Sequence, residues 1–182
     1  MKRLLIVIDM LTDFCAIDGA LAKSIVTGEY YGRDIIVPVL ARVNDYRATN
    51  DPIIWPGDWH REDDEEFKRF PVHAVRNTPG AMVVDGLAPH IIDASPYELM
   101  IHKTRYSGFY GTDLEYQLGR LGPRKVEVCG VCTSICVMDT VGGLANRDYN
   151  TTVYRNAVAD FDPAAHEMAL ARMERLYGAH II

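Results

Sequence analysis

Short apolar runs alternate along this chain with longer segments whose apolar residues recur at helical spacing. The short runs are rich in β-branched residues, as strands buried on both faces are, and they predict strands at 3–9, 52–55, 97–103, 125–130, 151–154 and 180–182. The longer segments predict helices at 34–49, 112–121, 133–147 and 163–177. Because strands alternate with helices, the pattern predicts an α/β protein whose mostly parallel sheet is covered by helices on both faces.

Two segments fall outside this alternation. Residues 10–33 contain glycines and mixed polarity, which predicts a loop with room for a short helix. Residues 61–82 form a charged excursion with proline and glycine, and loops of this length are usually functional or disordered. The chain shows no internal repeat, low-complexity stretch or linker, so its 182 residues are predicted to form a single domain, 1–182.

Composition narrows the class of protein. The hydrophobic fraction of 48% is enough for a sizeable core and excludes a disordered chain. A net charge of −6, without a basic cluster, argues against nucleic acid or an anionic membrane as partner. The chain enters a strand without a signal-peptide core, and no apolar run approaches the ~18 residues of a membrane span. We therefore predict a cytoplasmic protein in which all the cysteines are thiols: Cys15, Cys129, Cys132 and Cys136.

Three chemically reactive side chains follow predicted strands. Asp9 closes the first strand, Lys103 closes the third, and the fourth runs into a turn that opens the helix carrying Cys136. In open α/β sheets, ligands bind beyond the carboxyl ends of the parallel strands. An acid, a base and a thiol at that edge predict a thiol-based active site. In it, Asp9 is the general base, and Lys103 keeps Asp9 ionised and stabilises developing negative charge.

The segment 130–136, Gly-Val-Cys-Thr-Ser-Ile-Cys, is typical of a strand-to-helix turn. Thr133 is a candidate N-cap, which places Cys136 in the first helical turn. Free amides and the positive end of the helix dipole are expected to lower the pKa of the Cys136 thiol, and Lys103 is expected to lower it further. The alternative is a buried structural cysteine, and we favour that interpretation for the other three cysteines.

Each of these side chains also has an ordinary interpretation. Asp9 could begin a surface loop, and Lys103 could be an exposed lysine. A carboxylate that ends an apolar strand is costly to bury without a partner, however, and the three groups together favour catalysis. A metal or iron–sulfur cluster on Cys129, Cys132 and Cys136 is disfavoured, because Cys129 lies inside a predicted strand and a fourth thiolate is missing nearby.

A candidate metal site follows the second strand. Asp58 and His60, at positions i and i+2, fall on the same side of an extended segment, and His73 follows 13 residues after His60. One carboxylate and two imidazoles suit zinc, iron or manganese with open positions for water or substrate. Glu66 or Asp64 could add a ligand. In the alternative interpretation Asp58 caps a turn and the histidines are solvated.

Aromatic residues accompany these segments. Phe14, Phe70 and Tyr106 follow the candidate base, metal and lysine positions, and together they could form an aromatic box for a planar ligand. Taken singly, an aromatic residue is more often simply part of the core.

Four ordered segments together resemble the isochorismatase-like cysteine hydrolases, and within them the nicotinamidases. The first is Ile6-Val-Ile-Asp-Met10 with Asp13-Phe14. The second is Asp58-Trp-His60 with Phe70-Pro-Val-His73 and Asn77-Thr-Pro-Gly-Ala81. The third and fourth are His102-Lys-Thr-Arg-Tyr-Ser107 and Gly130-Val-Cys-Thr-Ser-Ile-Cys-Val137. The resemblance extends over nearly the whole chain.

The resemblance implies a Rossmann-like, three-layer αβα fold around a six-stranded parallel sheet. It also implies a catalytic triad of Cys136, Asp9 and Lys103, with a cis peptide before Cys132. The backbone amides of Cys132 and Cys136 would then form an oxyanion hole.

The resemblance further implies a divalent metal, zinc or else iron or manganese, that holds the ring nitrogen of nicotinamide while the amide is hydrolysed to nicotinate and ammonia. The ligands would be Asp58, His60 and His73, with Glu66 as a fourth. Phe14, Phe70 and Tyr106 would line the ring pocket. Relatives are often oligomeric, so a homo-oligomer is an open expectation.

The chain departs from the family pattern at three places. Leu11-Thr12 replaces the usual Gln-Asn, Ser134 replaces an Asp in the nucleophile turn, and Pro56-Gly57 precedes Asp58. The triad is intact, but these changes leave open an alternative substrate, another small amide, carbamoyl or ureido compound. A non-catalytic member of the fold is disfavoured by the triad, and isochorismate cleavage is disfavoured by Cys136.

Overall fold

A six-stranded sheet organises the protein. The computed structural model describes residues 3–21, 34–87 and 97–182. All strand pairs are parallel, and the order across the sheet is β3-β2-β1-β4-β5-β6. The strands are β1 (Arg3–Ile8), β2 (Ile53–Asp58), β3 (Glu98–Lys103), β4 (Lys125–Val131), β5 (Thr151–Ala159) and β6 (His180–Ile181).

α-Helices follow β1, β3, β4 and β5, as the alternation in the sequence predicts, and the described residues between β2 and β3 contain 3₁₀ turns. The α-helices are α1 (Thr12–Cys15), α2 (Ile36–Thr49), α3 (Leu114–Leu121), α4 (Met138–Ala145) and α5 (Pro163–Tyr177). Shorter elements are a π-helical segment at Thr133–Val137 and 3₁₀ turns at Glu65–Lys68, Pro79–Ala81 and Asp85–Leu87. Within the described ranges, every helix is too short or too polar to cross a lipid bilayer.

The sheet separates two apolar cores, which confirms the three-layer αβα arrangement. Successive side chains of a strand point to opposite faces. In β1, Leu5 and Val7 accordingly join the core beneath α2, whereas Leu4 and Ile6 join the core beneath α3, α4 and α5. Because both faces are covered, the strand is apolar throughout rather than alternating, and this is the pattern on which its prediction rested.

Two strands are longer than the sequence pattern predicts by at least two residues. β2 continues from Ile53 through Pro56 to Asp58, because Pro56 pairs in register with β3 and its carbonyl accepts a hydrogen bond from the Asp9 amide at 3.0 Å. β5 continues to Ala159 past a register shift, and the polar residues Arg155 and Asn156 interrupt the apolar run there.

The helix after β4 also differs from the prediction. Thr133–Val137 is π-helical, and α4 begins at Met138 and ends at Ala145 rather than at Arg147. Thr133 is not the N-cap: Cys132 holds that position without a side-chain cap, and the Thr133 hydroxyl instead contacts another element. Of the loop predicted at 10–33, residues 12–15 form α1, and residues 22–33 lie outside the described residues.

Gly130 allows β4 to approach the end of β1. Its φ is +114°, and a Cβ atom there would lie 2.0 Å from the Ile8 carbonyl oxygen, a backbone atom held in the sheet. We expect Gly130→Ala to lower the free energy of unfolding by about 3 kcal/mol or more, through strain and this clash. Urea denaturation measures the loss.

The matched control is Gly119→Ala in α3, where an added Cβ meets nothing within 4 Å. This variant should be neutral or more stable by up to ~1 kcal/mol, because alanine is the better helix former. Equal stability of the two variants would contradict the close approach of β4 to β1.

Candidate active site

The carboxyl edge of the sheet brings four reactive side chains together. Asp9 follows β1, Asp58 ends β2, Lys103 ends β3, and Cys136 lies in the π-helical segment after β4. All four are at least 97% buried. They lie where the strand order reverses between β1 and β4, which is the usual position of a ligand site in an open α/β sheet.

The ammonium group of Lys103 occupies the centre of this cluster. Its Nζ lies 2.8 Å from Asp9 Oδ2, 2.6 Å from Asp58 Oδ1 and 3.5 Å from Cys136 Sγ. Ligand atoms of Asp9, Asp58 and Cys136 lie within 4.8 Å of one another, a spacing that could suit a metal ion. Here the Lys103 ammonium supplies the positive charge among these atoms. The structure therefore places the three predicted triad residues, Asp9, Lys103 and Cys136, in one cluster.

Asp9 and Asp58 have different electrostatic environments. Burial and the neighbouring Asp58 carboxylate raise the pKa of Asp9 to about 6, although Lys103 opposes the shift. Burial alone would also raise the pKa of Asp58, but Lys103, His60 and His73 hold it well below its usual range. Asp9 is therefore the carboxylate suited to exchange a proton near neutral pH, and Asp58 is a permanent anion.

The thiol of Cys136 does not have the lowered pKa that the sequence predicted. Burial raises its pKa well above the usual range, and the positive charge of Lys103 only partly offsets this. The thiol therefore needs a base to remove its proton, and the adjacent Asp9 can take that role. The other cysteines are also free and buried, in agreement with the prediction of thiols: Cys15, Cys129 and Cys132.

The backbone fixes Asp9 in an uncommon conformation. Its φ is +48°, in the left-handed region that non-glycine residues seldom adopt, and its carbonyl accepts a hydrogen bond from the Leu11 amide at 2.7 Å. The other carboxylate oxygen, Oδ1, accepts the amide of Asp58 at 2.9 Å. These contacts direct the side chain across the strand end towards Lys103, at the cost of local strain.

A second group of ligand atoms lies next to the first. Asp58, His60 and His73 are all buried, and their ligand atoms lie within 4.8 Å of one another. Asp58 Oδ2 is 3.6 Å from His60 Nε2 and 3.4 Å from His73 Nε2. Asp58 thus faces Lys103 with one oxygen and both imidazoles with the other.

Outer contacts fix the orientation of both imidazoles. His60 Nδ1 lies 3.1 Å from Asp64 Oδ2, and His73 Nδ1 lies 2.7 Å from the Pro71 carbonyl oxygen. If each Nδ1 carries the proton, each Nε2 keeps its lone pair towards Asp58, as in histidine ligands of metals. His60 Nε2 has no hydrogen-bond partner in the described part of the chain. The donor set therefore fits a divalent ion with one carboxylate and two imidazole ligands.

The two additional candidate ligands have different positions. Asp64 lies behind His60. Its Oδ2 is 3.1 Å from His60 Nδ1. Its Oδ1 accepts hydrogen bonds from the Arg105 guanidinium at 2.8 Å and from the Glu66 amide at 2.9 Å. Glu66 is 1% exposed, and burial together with the Asp58 charge raises its pKa. In the described residues its carboxylate does not join the three-residue group, so its role as fourth ligand stays a prediction.

Removing the outer carboxylate should weaken metal binding. We expect Asp64→Ala to raise the Kd for zinc by about 10- to 100-fold, because His60 loses the partner that fixes its tautomer and ring orientation. Competition with a chromogenic chelator measures Kd. Glu65→Ala is the control, since Glu65 is exposed and pairs with Lys68. Similar Kd values for the two variants would count against this arrangement.

Two of the three aromatic residues predicted to form a box lie against His73. Rings of Phe14 and Phe70 meet His73 edge-on, with centroids 5.2 and 5.4 Å away. Tyr106 instead packs, half-buried, against the core on the other face of the sheet, which also contains Cys136. A further aromatic, Phe67, lies 5.2 Å from His60 and 5.7 Å from His73, and sequence reasoning missed it.

The turn that carries Cys136 has the backbone that the resemblance implied. The peptide bond between Val131 and Cys132 is cis. The Cys132 carbonyl accepts the amides of Ile135 and Val137, each at 3.1 Å. These bonds do not use the amides of Cys132 and Cys136, the pair expected to form the oxyanion hole.

Two roles in the site were missed by the sequence analysis. Asp58 contacts both Lys103 and the two histidines, and so belongs to both clusters. Arg105 holds Asp64 behind His60. The pairing of β2 with β3 puts Asp58 directly beside Lys103, so a correct end for β2 would have revealed the first role. No sequence signal identifies Arg105, because its contact depends on the course of the 61–82 loop.

Comparisons with known proteins find similar sequences over the full length of the chain. A family model described as the isochorismatase domain matches residues 3–182. The chain is 33% identical over 186 residues to a Bacillus subtilis protein described as "Uncharacterized isochorismatase family protein PncA", covering 100% of this chain and 99% of that protein.

Solved structures also match this chain over its full length. A crystal structure described as nicotinamidase PncA from Bacillus subtilis matches with a TM-score of 0.90 at 33% identity, covering 100% of this chain and 99% of the other. A pyrazinamidase from Pyrococcus horikoshii in complex with zinc matches with a TM-score of 0.86 at 31% identity, covering 100% and 99%. An N-carbamoylsarcosine amidase from Thermoplasma acidophilum matches with a TM-score of 0.83 at 30% identity, covering 100% of this chain and 95% of the other.

Proposed function

The chain belongs to the isochorismatase family and is an amide hydrolase, and on that premise we propose that it converts nicotinamide to nicotinate and ammonia through a thioester on Cys136. The observation that carries the proposal is the position of Lys103. Its ammonium contacts Asp9, Asp58 and Cys136 and so joins the nucleophile and its base to the metal group. Nicotinamide carries its carboxamide meta to the ring nitrogen, so it presents one group to Cys136 and another to the neighbouring candidate metal ligands.

The first half of the reaction uses Asp9 as a base. Asp9 takes the proton of Cys136, and Sγ attacks the carboxamide carbon to form a tetrahedral oxyanion. The backbone amides of Cys132 and Cys136 donate to that oxygen, and one such donor contributes about 3 kcal/mol. Lys103 stabilises the negative charge that moves between thiolate and carboxylate.

The second half returns the proton and releases the acid. The C–N bond breaks, and Asp9 gives the proton to the leaving nitrogen, so that ammonia departs and an acyl-thioester remains. Asp9 then removes a proton from water, which attacks the thioester carbon. The tetrahedral intermediate collapses to nicotinic acid, and Asp9 returns its proton to the Cys136 thiolate. The acid then gives its proton to the released ammonia, so the products are nicotinate and ammonium, and atoms and charge balance over the cycle.

The group formed by Asp58, His60 and His73 would hold a divalent metal, for which zinc is our proposal. When bound, the metal supplies a Lewis-acidic position for the ring nitrogen. The chain itself supplies the ring contacts: Phe14 and Phe70 flank His73 and would limit the substrate to a flat ring. In the cell, this reaction would return nicotinamide to pyridine-nucleotide synthesis.

Ammonia release from purified, zinc-replete protein tests the substrate. We expect nicotinamide to be hydrolysed, and benzamide, which lacks the ring nitrogen, to have a kcat/KM lower by about 100-fold or more because one anchoring contact is lost. Equal rates on the two amides would contradict the ring-nitrogen contact. No release from either would reject nicotinamide as substrate.

The N-carbamoylsarcosine amidase match supports a second candidate, hydrolysis of a small carbamoyl or ureido compound by the same triad. The departures at Leu11-Thr12 and Ser134 lie beside Asp9 and Cys136 and could alter the substrate. Ammonia release from an N-carbamoyl amino acid, with none from nicotinamide, would favour this candidate.

A further inference from the structure

The nucleophile turn, residues 130–136, is held by two side chains, one from the connection between β5 and α5 and one from the start of α5. We infer that Asp160 and His166 are positioning residues for Cys136, which act through Ser134 and Thr133 and do not touch the substrate. The inference rests on the proposed role of Cys136 as nucleophile.

His166 holds the first residue of the π-helical segment. Its Nδ1 lies 2.9 Å from Thr133 Oγ1, in a hydrogen bond between side chains 33 positions apart. Thr133 is completely buried, and 19% of the His166 side chain is exposed. A buried hydroxyl that loses its partner carries a desolvation penalty, so this bond ties the turn to α5.

Asp160 holds the next residue. Its Oδ2 accepts the Ser134 amide at 2.6 Å, and its Oδ1 accepts the Phe161 amide at 2.8 Å. The side chain is buried, with 5% exposed. One carboxylate therefore shapes its own turn and fixes a backbone amide of the nucleophile turn, and charge-assisted bonds of this kind are stronger than neutral ones.

The connection itself is firmly anchored. Asp162 caps α5 by accepting the amides of Ala164 and Ala165 at 2.8 and 3.4 Å. The His166 amide donates to the Asp162 carbonyl at 2.9 Å, so His166 lies in the first turn of that capped helix. A defined helix start gives His166 a defined reach towards Thr133.

Cys136 is thus placed between two sets of contacts. On one side Lys103 is 3.5 Å from Sγ, and on the other the turn is held at Thr133 and Ser134. The segment between them is π-helical rather than α-helical, so the usual ladder of helical bonds does not fix it by itself. A shift of the turn would separate Sγ from Lys103 and Asp9, and about 1 Å of misplacement costs up to ~100-fold in rate.

Variants of His166 test the inference through the steady-state constants for ammonia release. We expect His166→Ala to lower kcat by about tenfold or more, with KM within about twofold, because the substrate contacts remain while the nucleophile moves. His166→Asn, whose side-chain amide can reach Thr133, should recover most of kcat. Glu174→Gln is the control, as Glu174 is an exposed residue of the same helix. Asp160→Ala should resemble His166→Ala.

A second measurement does not depend on the substrate. Alkylation of Cys136 by iodoacetamide, followed by peptide mass spectrometry, should be about threefold or more slower in His166→Ala, because the thiolate is stabilised only beside Lys103. His166→Asn should restore the rate. If wild-type protein does not hydrolyse nicotinamide, the proposed substrate fails, and the alkylation rates still decide the positioning role.

Three results would overturn the inference. The first is unchanged alkylation in both His166→Ala and Asp160→Ala. The second is a loss of activity in His166→Ala that His166→Asn does not recover. The third is a fall in kcat that matches only the fraction of unfolded protein in thermal melts.

Discussion

Replacement of Cys136 by alanine is expected to lower amide hydrolysis by about 10⁴-fold or more, the range found when a covalent nucleophile is removed. The base and the lysine have no function in thioester formation once Sγ is absent. The cluster loses only a thiol in contact with Lys103, and Lys103 keeps both carboxylate partners. The thermal midpoint and the zinc content should therefore stay near their wild-type values.

Cys129→Ala is the matched control for this variant. Cys129 is also a buried, free cysteine, but it lies inside β4, and its sulfur points to the Ile6 carbonyl 3.8 Å away. Its replacement should cost about 1 kcal/mol of stability and leave kcat unchanged. Full activity in Cys136→Ala, or a comparable loss in both variants, would contradict the assignment of the nucleophile.

Replacement of Lys103 by methionine is expected to have the second-largest effect, on both stability and activity. Methionine has a similar length and no charge, so it leaves Asp9 and Asp58 buried side by side without their shared cation. Removing one partner from a buried ion pair costs about 3–5 kcal/mol, and the cost is lower where a carboxyl group takes up a proton instead. That proton would remain on Asp9, whose pKa is already raised, and Asp9 would no longer serve as a base near neutral pH.

Urea denaturation and ammonia release measure the two effects of Lys103→Met. Lys68→Met serves as the control, because Lys68 pairs with Glu65 at 2.7 Å and both side chains are mostly exposed. An exposed pair contributes at most about 1 kcal/mol. If both variants unfold at similar urea concentrations and keep wild-type rates, the central position of Lys103 has no energetic consequence.

The sheet and its reactive edge were predictable because β1 contains an uninterrupted apolar run and the other strands contain shorter ones. Asp9 and Lys103 end two such runs, and parallel strands deliver their carboxyl ends to one edge, so their proximity follows from topology. The separation of the two cores follows from the alternation within β1, where Leu4 and Leu5 point to opposite faces. These inferences use only the period of a strand and the direction of the chain.

Features that depend on tertiary environment were not predictable. The raised pKa of Cys136 results from burial, whereas the sequence shows only its place after a strand and near a lysine. The π-helical turn and the partner of Thr133 depend on contacts with α5, which lies about 30 residues further along the chain. The second role of Asp58 was missed because Pro56 appeared to end β2.

Acid-quenched mass spectrometry during turnover can detect the proposed thioester on Cys136. Zinc-replete protein is mixed with excess nicotinamide, quenched within milliseconds and digested, and ammonia is measured in parallel. We predict ammonia release together with a nicotinoyl group on the peptide that contains Cys136, and neither signal in Cys136→Ala. Ammonia release at the wild-type rate from Cys136→Ala, or a nicotinoyl group on a different residue, would contradict the account.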